Sequence, residues 1–151
     1  MYTPAITGTG VFTPSETVTN AELVTAFNAY ADLYNAEHAD EIAAGMVEAK
    51  EHSSEEFIVK ASGIEQRYVM VKEGILDPTV MYPKMRQRSD DEPSIMAEMA
   101  LKAANIALEN AGKTAADVGA VICAASNLER AYPAVAIEFR TCWAFRALPS
   151  T

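Results

Sequence analysis

The sequence predicts an α/β protein in which a mixed sheet is flanked by helices. Three observations carry this: apolar residues at helical spacing behind N-cap signatures, a glycine-bearing β-rich start from Ala5 to Phe12, and a run of small apolar residues from Val118 to Ala125. Half of the 151 residues are apolar, enough for one ordinary domain with its own core.

The elements follow in order. Ile6, Val11 and Phe12, set among Thr7, Gly8, Thr9 and Gly10, predict a short first strand whose glycines let other backbone come close. Thr19 and Glu22 have the spacing of a capping box, in which the hydroxyl accepts from a first-turn N–H and the carboxylate reaches back to the cap. Leu23, Val24, Phe27, Tyr30, Ala31 and Tyr34 then recur at three- and four-residue steps and predict a helix to about Asn35. From Ala36 to Lys50 the chain is rich in Ala and Glu, as in a solvated helical excursion. A second cap at Ser53-Ser54-Glu55-Glu56 opens a short helix through Phe57, Ile58 and Ala61, which Gly63 can end in a left-handed conformation.

Gln66 to Val71 is β-rich, and Leu76 to Pro93, with three prolines and no period, reads as a long irregular loop. The clearest helix runs from Ser94 to Asn110 with Gly112 as its stop. Val118 to Ala125 has the composition of a strand buried on both faces, and Pro133 is placed as the first residue of a helix through Val135, Ala136 and Phe139. No repeat or linker divides the chain, so a single domain is expected.

Charge and composition narrow the function. With 21 acidic against 12 basic residues and a net charge of −9, no face built to neutralise nucleic-acid phosphates is expected. The N-terminus lacks a basic, apolar leader, and the best apolar run is far too short to span a membrane, so a cytoplasmic location follows. Cys123 and Cys142 have neither metal-ligand spacing nor histidine partners, so neither a metal site nor a cofactor is implied. Cys123, inside the predicted buried strand, is expected to be an inert core thiol. His38 and His52 sit in Glu-rich surroundings and read as solvated surface residues.

Four stretches, ITGTGVFTPSETVTNAEL, SSEEFIVKASGIEQRYV, PSIMAEMALKAANIALENAG and VGAVICAASNLERAYPAVAIE, resemble in order and spacing the β-ketoacyl-acyl-carrier-protein synthase III family of thiolase-like condensing enzymes. The likeness extends from Ile6 to Phe139, apart from an enlarged, insertion-like region near 29–50. That region and the wording AYPAVAIE are most similar to the branch making β-ketodecanoyl-acyl carrier protein. The resemblance implies a partial thiolase-like fold over residues 1–139, comprising part of the N-terminal half. It also implies a chemistry in which a cysteine thiolate at a helix N-terminus takes an acyl group from coenzyme A. Malonyl-acyl carrier protein then decarboxylates and its carbanion attacks the thioester. The intact enzyme would be a homodimer with acyl-coenzyme A and acyl carrier protein as substrates. The nucleophilic cysteine, and the later histidine and asparagine that assist it, match no residue of this sequence, so no catalytic residue is assigned and the chain alone is expected to be inactive.

Four substrate-binding positions carry over. Phe57 stands where the family usually has a tryptophan stacking on the adenine of coenzyme A; anchoring its own short helix is the other open role. Ser53 matches a hydroxyl of the same nucleotide site, or serves only as an N-cap. Ala61 stands where the short form of the family has a phosphate-binding arginine, and alanine offers no such charge-assisted bond. Tyr132 matches an aromatic that crosses the dimer interface to line the partner's acyl pocket, or is a hydrophobic staple before Pro133. Ser126 matches a hydroxyl beside that pocket.

After Glu138 the likeness fades, and residues 140–151, RTCWAFRALPST, read as neither family helix nor family strand. Permissible codons for Thr141 to Thr151, read from the third base of the Thr141 codon, encode the family-like peptide LLGIQGFAFD. An out-of-frame tail is therefore expected, with the catalytic cysteine a few residues further on in the shifted frame. Two rival readings are a non-catalytic module that heterodimerises with a full-length synthase and an unrelated small α/β protein with a closed sheet of its own.

Overall fold

The computed structural model describes residues 3–130 and 132–143. The chain packs as two compact units, one continuous from Thr13 to Arg86 and one discontinuous, built from Met1–Phe12 with Gln87–Thr151. The architecture mixes helices with one small antiparallel sheet.

In the continuous unit, β1 (Glu16–Thr19) feeds directly into α1 (Asn20–Glu37), followed by α2 (Ala39–Ala43), α3 (Glu55–Ser62) and β2 (Gln66–Val69). β1 and β2 pair antiparallel, with Glu16 opposite Val69 and Thr19 opposite Gln66. Thr17, Val18 and Thr19 are β-branched and suit a strand, and Val18 points into the unit's interior. The chain turns from strand to helix at the expected capping box: the Glu22 N–H donates to Thr19 Oγ1 at 3.2 Å, and the Thr19 N–H donates to Glu22 Oε2 at 2.9 Å. The buried apolar residues of α1, Ala26 and Ala31, are small and let neighbouring backbone come close to the helix.

Three asparagines hold that backbone. Asn20 Nδ2 donates to the Ile64 carbonyl at 2.7 Å. Asn28 bonds both backbone groups of Ser53, and Asn35 bonds both of Lys50, accepting at 2.8 Å and donating at 2.9 Å. Spaced eight and seven residues apart, they share one face of α1, and the segment from Lys50 to Ile64 runs antiparallel to the helix along it. Lys50 adds a cation–π contact, its Nζ 4.3 Å from the Tyr34 ring centre. The Ala- and Glu-rich stretch forms the end of α1 and all of α2, which buries nothing.

In the discontinuous unit, α4 (Ile95–Ala111) starts at Ser94, whose hydroxyl accepts from the Ala97 N–H at 3.1 Å, and ends at Gly112, in the left-handed region at φ 62°. A short 3-10 turn (Ala115–Asp117) follows, and α5 (Val135–Cys142) packs on α4. The core here is Ala97, Val135 and Phe139, with Leu101, Val121 and Trp143 against it. The Trp143 ring meets Phe139 edge-on at 5.2 Å, and burying a side chain such as Phe139 contributes about 1.5–3 kcal/mol. Glu138 is buried, yet fully used: it accepts from the Ser94 N–H at 2.6 Å and the Ser94 hydroxyl at 3.0 Å. It thereby supplies acceptors at the start of α4, where N–H groups lack helical partners.

Several expectations are corrected. Neither 5–12 nor 118–125 is a strand; among the described residues the β1–β2 pair is the whole ladder. An apolar run is suited to burial, but a strand exists only when a second extended backbone pairs with it, and among the described residues none pairs with either stretch. Residues 3–12 instead lie along α4. Added Cβ atoms at Gly8 and Gly10 would collide with the Ala107 and Ala103 carbonyl oxygens, and Asn110 Nδ2 donates to the Thr9 carbonyl at 2.8 Å. Pro133 is not the first residue of α5: Ala134 is the N-cap, so the proline precedes the cap. The helix continues through Cys142, taking in the first residues of the expected out-of-frame tail, while residues 144–151 of that tail lie outside the described residues.

Candidate functional site

Asn28 and Ser54 fix the surroundings of the two sequence candidates in the continuous unit. The Ser53 N–H donates to Asn28 Oδ1 at 2.8 Å and its carbonyl accepts from Asn28 Nδ2 at 3.1 Å, pinning the chain just before α3. The N-cap itself is Ser54, not Ser53: the Ser54 hydroxyl accepts from the Phe57 N–H at 3.1 Å. The Ser53 side chain is thus released from capping. Phe57 projects from the first turn of α3 and is 65% exposed, so it does not anchor the helix. The helix ends at Gly63 with φ 68°, as its sequence predicts.

The electrostatics around Phe57 are acidic. Glu55 and Glu56 precede it in the first turn, and Lys60 is the one basic residue of α3. Its own backbone N–H and the Ser54 hydroxyl hold the Glu56 carboxyl below the usual carboxylate range, so it stays charged near neutral pH. Ala61 is exposed and offers no donor.

Ser126 and Tyr132 belong to the other unit. Both are exposed, Tyr132 at 84%. Nearby, Cys123 borders an open groove of about 740 Å3 along α4, together with Gly8, Ala104, Val121 and Trp143. Cys123 is exposed, which corrects the expectation of an inert core thiol: that burial depended on a strand that does not form. Its neighbour Ile122 is 96% exposed for the same reason. Cys142, also exposed, lies in the last turn of α5, the end where aligned peptide dipoles disfavour negative charge. Neither thiol stands at a helix N-terminus.

Both histidines have carboxylate neighbours. His52 Nε2 lies 2.7 Å from Asp32 Oδ1, and His38 Nδ1 lies 2.5 Å from Glu41 Oε2 while its ring packs on Tyr34. His52 is exposed as expected; His38 is half-buried by that aromatic contact. Among the described residues no group of three His, Cys, Asp or Glu side chains could hold a metal, and no helix is long and apolar enough to cross a membrane.

No family model matches the chain. Among curated proteins, 113 residues, 75% of the chain, are 56% identical to a β-ketodecanoyl-[acyl-carrier-protein] synthase of Pseudomonas aeruginosa. The chain is a homologue of the β-ketoacyl-acyl-carrier-protein synthase III enzymes. Two proteins of that name are also similar: one from Caulobacter vibrioides, 31% identical over 87% of the chain, and one from Rhizobium johnstonii, 34% identical over 62%. The chain spans 32%, 27% and 23% of the lengths of these synthases, in that order, so about a third or less of each relative has a counterpart here.

Asn20, Asn28 and Asn35, which position Ser53 and the approach to α3 in this synthase homologue, were not singled out from the sequence. The available signal was their common face on α1, a polar line within an otherwise amphipathic helix.

Proposed function

We propose that this chain is part of the N-terminal half of a thiolase-like 3-oxoacyl-acyl-carrier-protein synthase III, and that alone it does not condense. The intact enzyme is a cytoplasmic homodimer that joins an acyl primer to malonyl-acyl carrier protein in fatty acid biosynthesis. The supporting observation is the 56% identity over 113 residues to the β-ketodecanoyl-carrier-protein synthase, together with two thiols that both lack a helix N-terminus. A thiolate is the required nucleophile, and without a positive dipole end or a basic partner a thiol remains weakly nucleophilic.

Within this reading, exposed Phe57 and the uncommitted Ser53 side chain contribute to nucleotide binding. Tyr132 and Ser126 serve the acyl pocket of the assembled dimer. Glu55, Glu56 and Ala61 make the surroundings of Phe57 poor for phosphate, so a nucleotide there is held by stacking on the ring rather than by charge.

The test supplies the purified chain with acyl-coenzyme A and malonyl-acyl carrier protein. No β-ketoacyl product forms, and intact-mass analysis finds neither Cys123 nor Cys142 acylated. Acylation followed by condensation overturns the inactive reading. Sequencing the coding DNA beyond Thr151 tests the rest: a family cysteine motif in the shifted frame supports it, and its absence removes the frameshift.

A second reading, a non-catalytic module that pairs with a full-length synthase, draws on the exposure of Tyr132 and Ile122. Co-purification of the chain with an intact relative distinguishes it.

A further inference from the structure

We infer that the concavity between α1 and α3 of the continuous unit binds the carboxylate of a single unbranched aliphatic chain, with Arg67 receiving the charged end. It encloses about 250 Å3 and is walled by Leu23, Val24, Phe27, Ile58 and Met81, with Arg67 and Ser53 completing the lining. All five apolar residues are half-buried, so together they form a wall rather than a closed core. Phe57 is not part of the lining.

Arg67 gives the site its chemistry. Its Nη1 donates to Asn20 Oδ1 at 2.9 Å, a neutral amide, and no ion pair among the described residues includes it. Elsewhere Lys72, Arg88 and Lys102 each have a carboxylate partner. A guanidinium is a planar fork of five donors, and one bond to Asn20 leaves donors free for a carboxylate. The apolar wall disfavours a strongly hydrated dianion and favours a methylene chain. The volume lies just below the range of about 300–1,000 Å3 for drug-sized ligands, which limits the occupant to one short chain.

A second feature of the wall is conformational. Met81 has φ 58°, a left-handed geometry uncommon for a residue with a side chain, and its N–H is held by the Asp77 carbonyl at 2.9 Å. Such geometry persists where the surroundings over-determine it, and here it belongs to a residue of the concavity.

The test titrates the full chain with decanoate and with decan-1-ol by calorimetry, and follows the Ile58 and Met81 methyl resonances. Decanoate binds one to one and shifts both methyls, and decan-1-ol binds about tenfold or more weakly, the loss expected for a charge-assisted bond. Arg67→Gln weakens decanoate by a similar factor. Val24→Trp, which fills the concavity and leaves Arg67 in place, abolishes binding and decides the matter should Arg67→Gln not fold. Absence of decanoate binding, equal binding of acid and alcohol, or undiminished binding by Val24→Trp overturns the inference. No thioester is present in these titrations, so their outcome is separate from that of the condensation assay.

Discussion

Asn28 grips Ser53 by both of its backbone polar groups, the N–H at 2.8 Å and the carbonyl at 3.1 Å. One side chain on α1 thereby does for the approach to α3 what a neighbouring strand would do in a sheet. It satisfies donor and acceptor together and sets the register of the passing chain.

Asn28→Ala removes both bonds and destabilises the continuous unit by about 1–3 kcal/mol, read as a lower urea midpoint. Asn28→Asp keeps the acceptor for the Ser53 N–H but loses the donor, and falls between alanine and wild type. An unchanged midpoint for Asn28→Ala would show that the Lys50–Ile64 segment is held by other contacts.

Glu22 links stability to pH. The Lys72 ammonium, 2.6 Å away, and then the Thr19 N–H hold its carboxyl below the ordinary value of 4.5. A carboxyl depressed on folding stabilises the fold above its unfolded value, and that stabilisation disappears as pH falls through the lower, folded value. Wild type therefore has a higher Tm than Glu22→Gln at neutral pH, and the gap closes in the acid range below 4.5. A constant gap across that range would remove Glu22 as the titrating group.

Gly10 is required where residues 3–12 cross α4, because a Cβ there would collide with the Ala103 carbonyl oxygen. The oxygen is helical backbone and cannot move aside cheaply. Gly10→Ala detaches this segment, and the Asn110 side-chain amide loses the Thr9 carbonyl and shifts its resonances, while the centre of α4 stays protected. An unshifted Asn110 side-chain amide would show that the contact yields.

Helix ends and the strand within 66–71 were legible in the sequence, whereas β1 was not seen and the strands expected at 5–12 and 118–125 do not form. Thr19 with Glu22, Ser54, Ser94, Gly63 and Gly112 all act where their spacing places them, because a cap is chemistry between residues a few positions apart. The apolarity of 118–125 records suitability for burial, whereas a ladder needs a partner distant in sequence. The expectation for Cys123 failed with the strand on which it rested. Of the candidate site, the place of Phe57 in the first turn of α3 could be read locally, while its exposure could not. The Asn28–Ser53 clamp could not, since its two residues are 25 positions apart.

The exposure of both thiols gives a direct chemical check. In native buffer, Ellman's reagent titrates Cys123 and Cys142 together, two equivalents per chain, with no further release on adding denaturant. One slow thiol, freed only on unfolding, would return Cys123 to a closed interior.

The interrupted build of one unit sets an order of events during synthesis. Residues 13–86 are a single uninterrupted span, so they can finish folding as soon as they clear the ribosome exit. The first dozen residues emerge earlier still, yet their resting place on α4 is translated about eighty positions later. Nascent chains stalled before Ile95 therefore carry Gly8 and Gly10 without the helical backbone on which they come to rest.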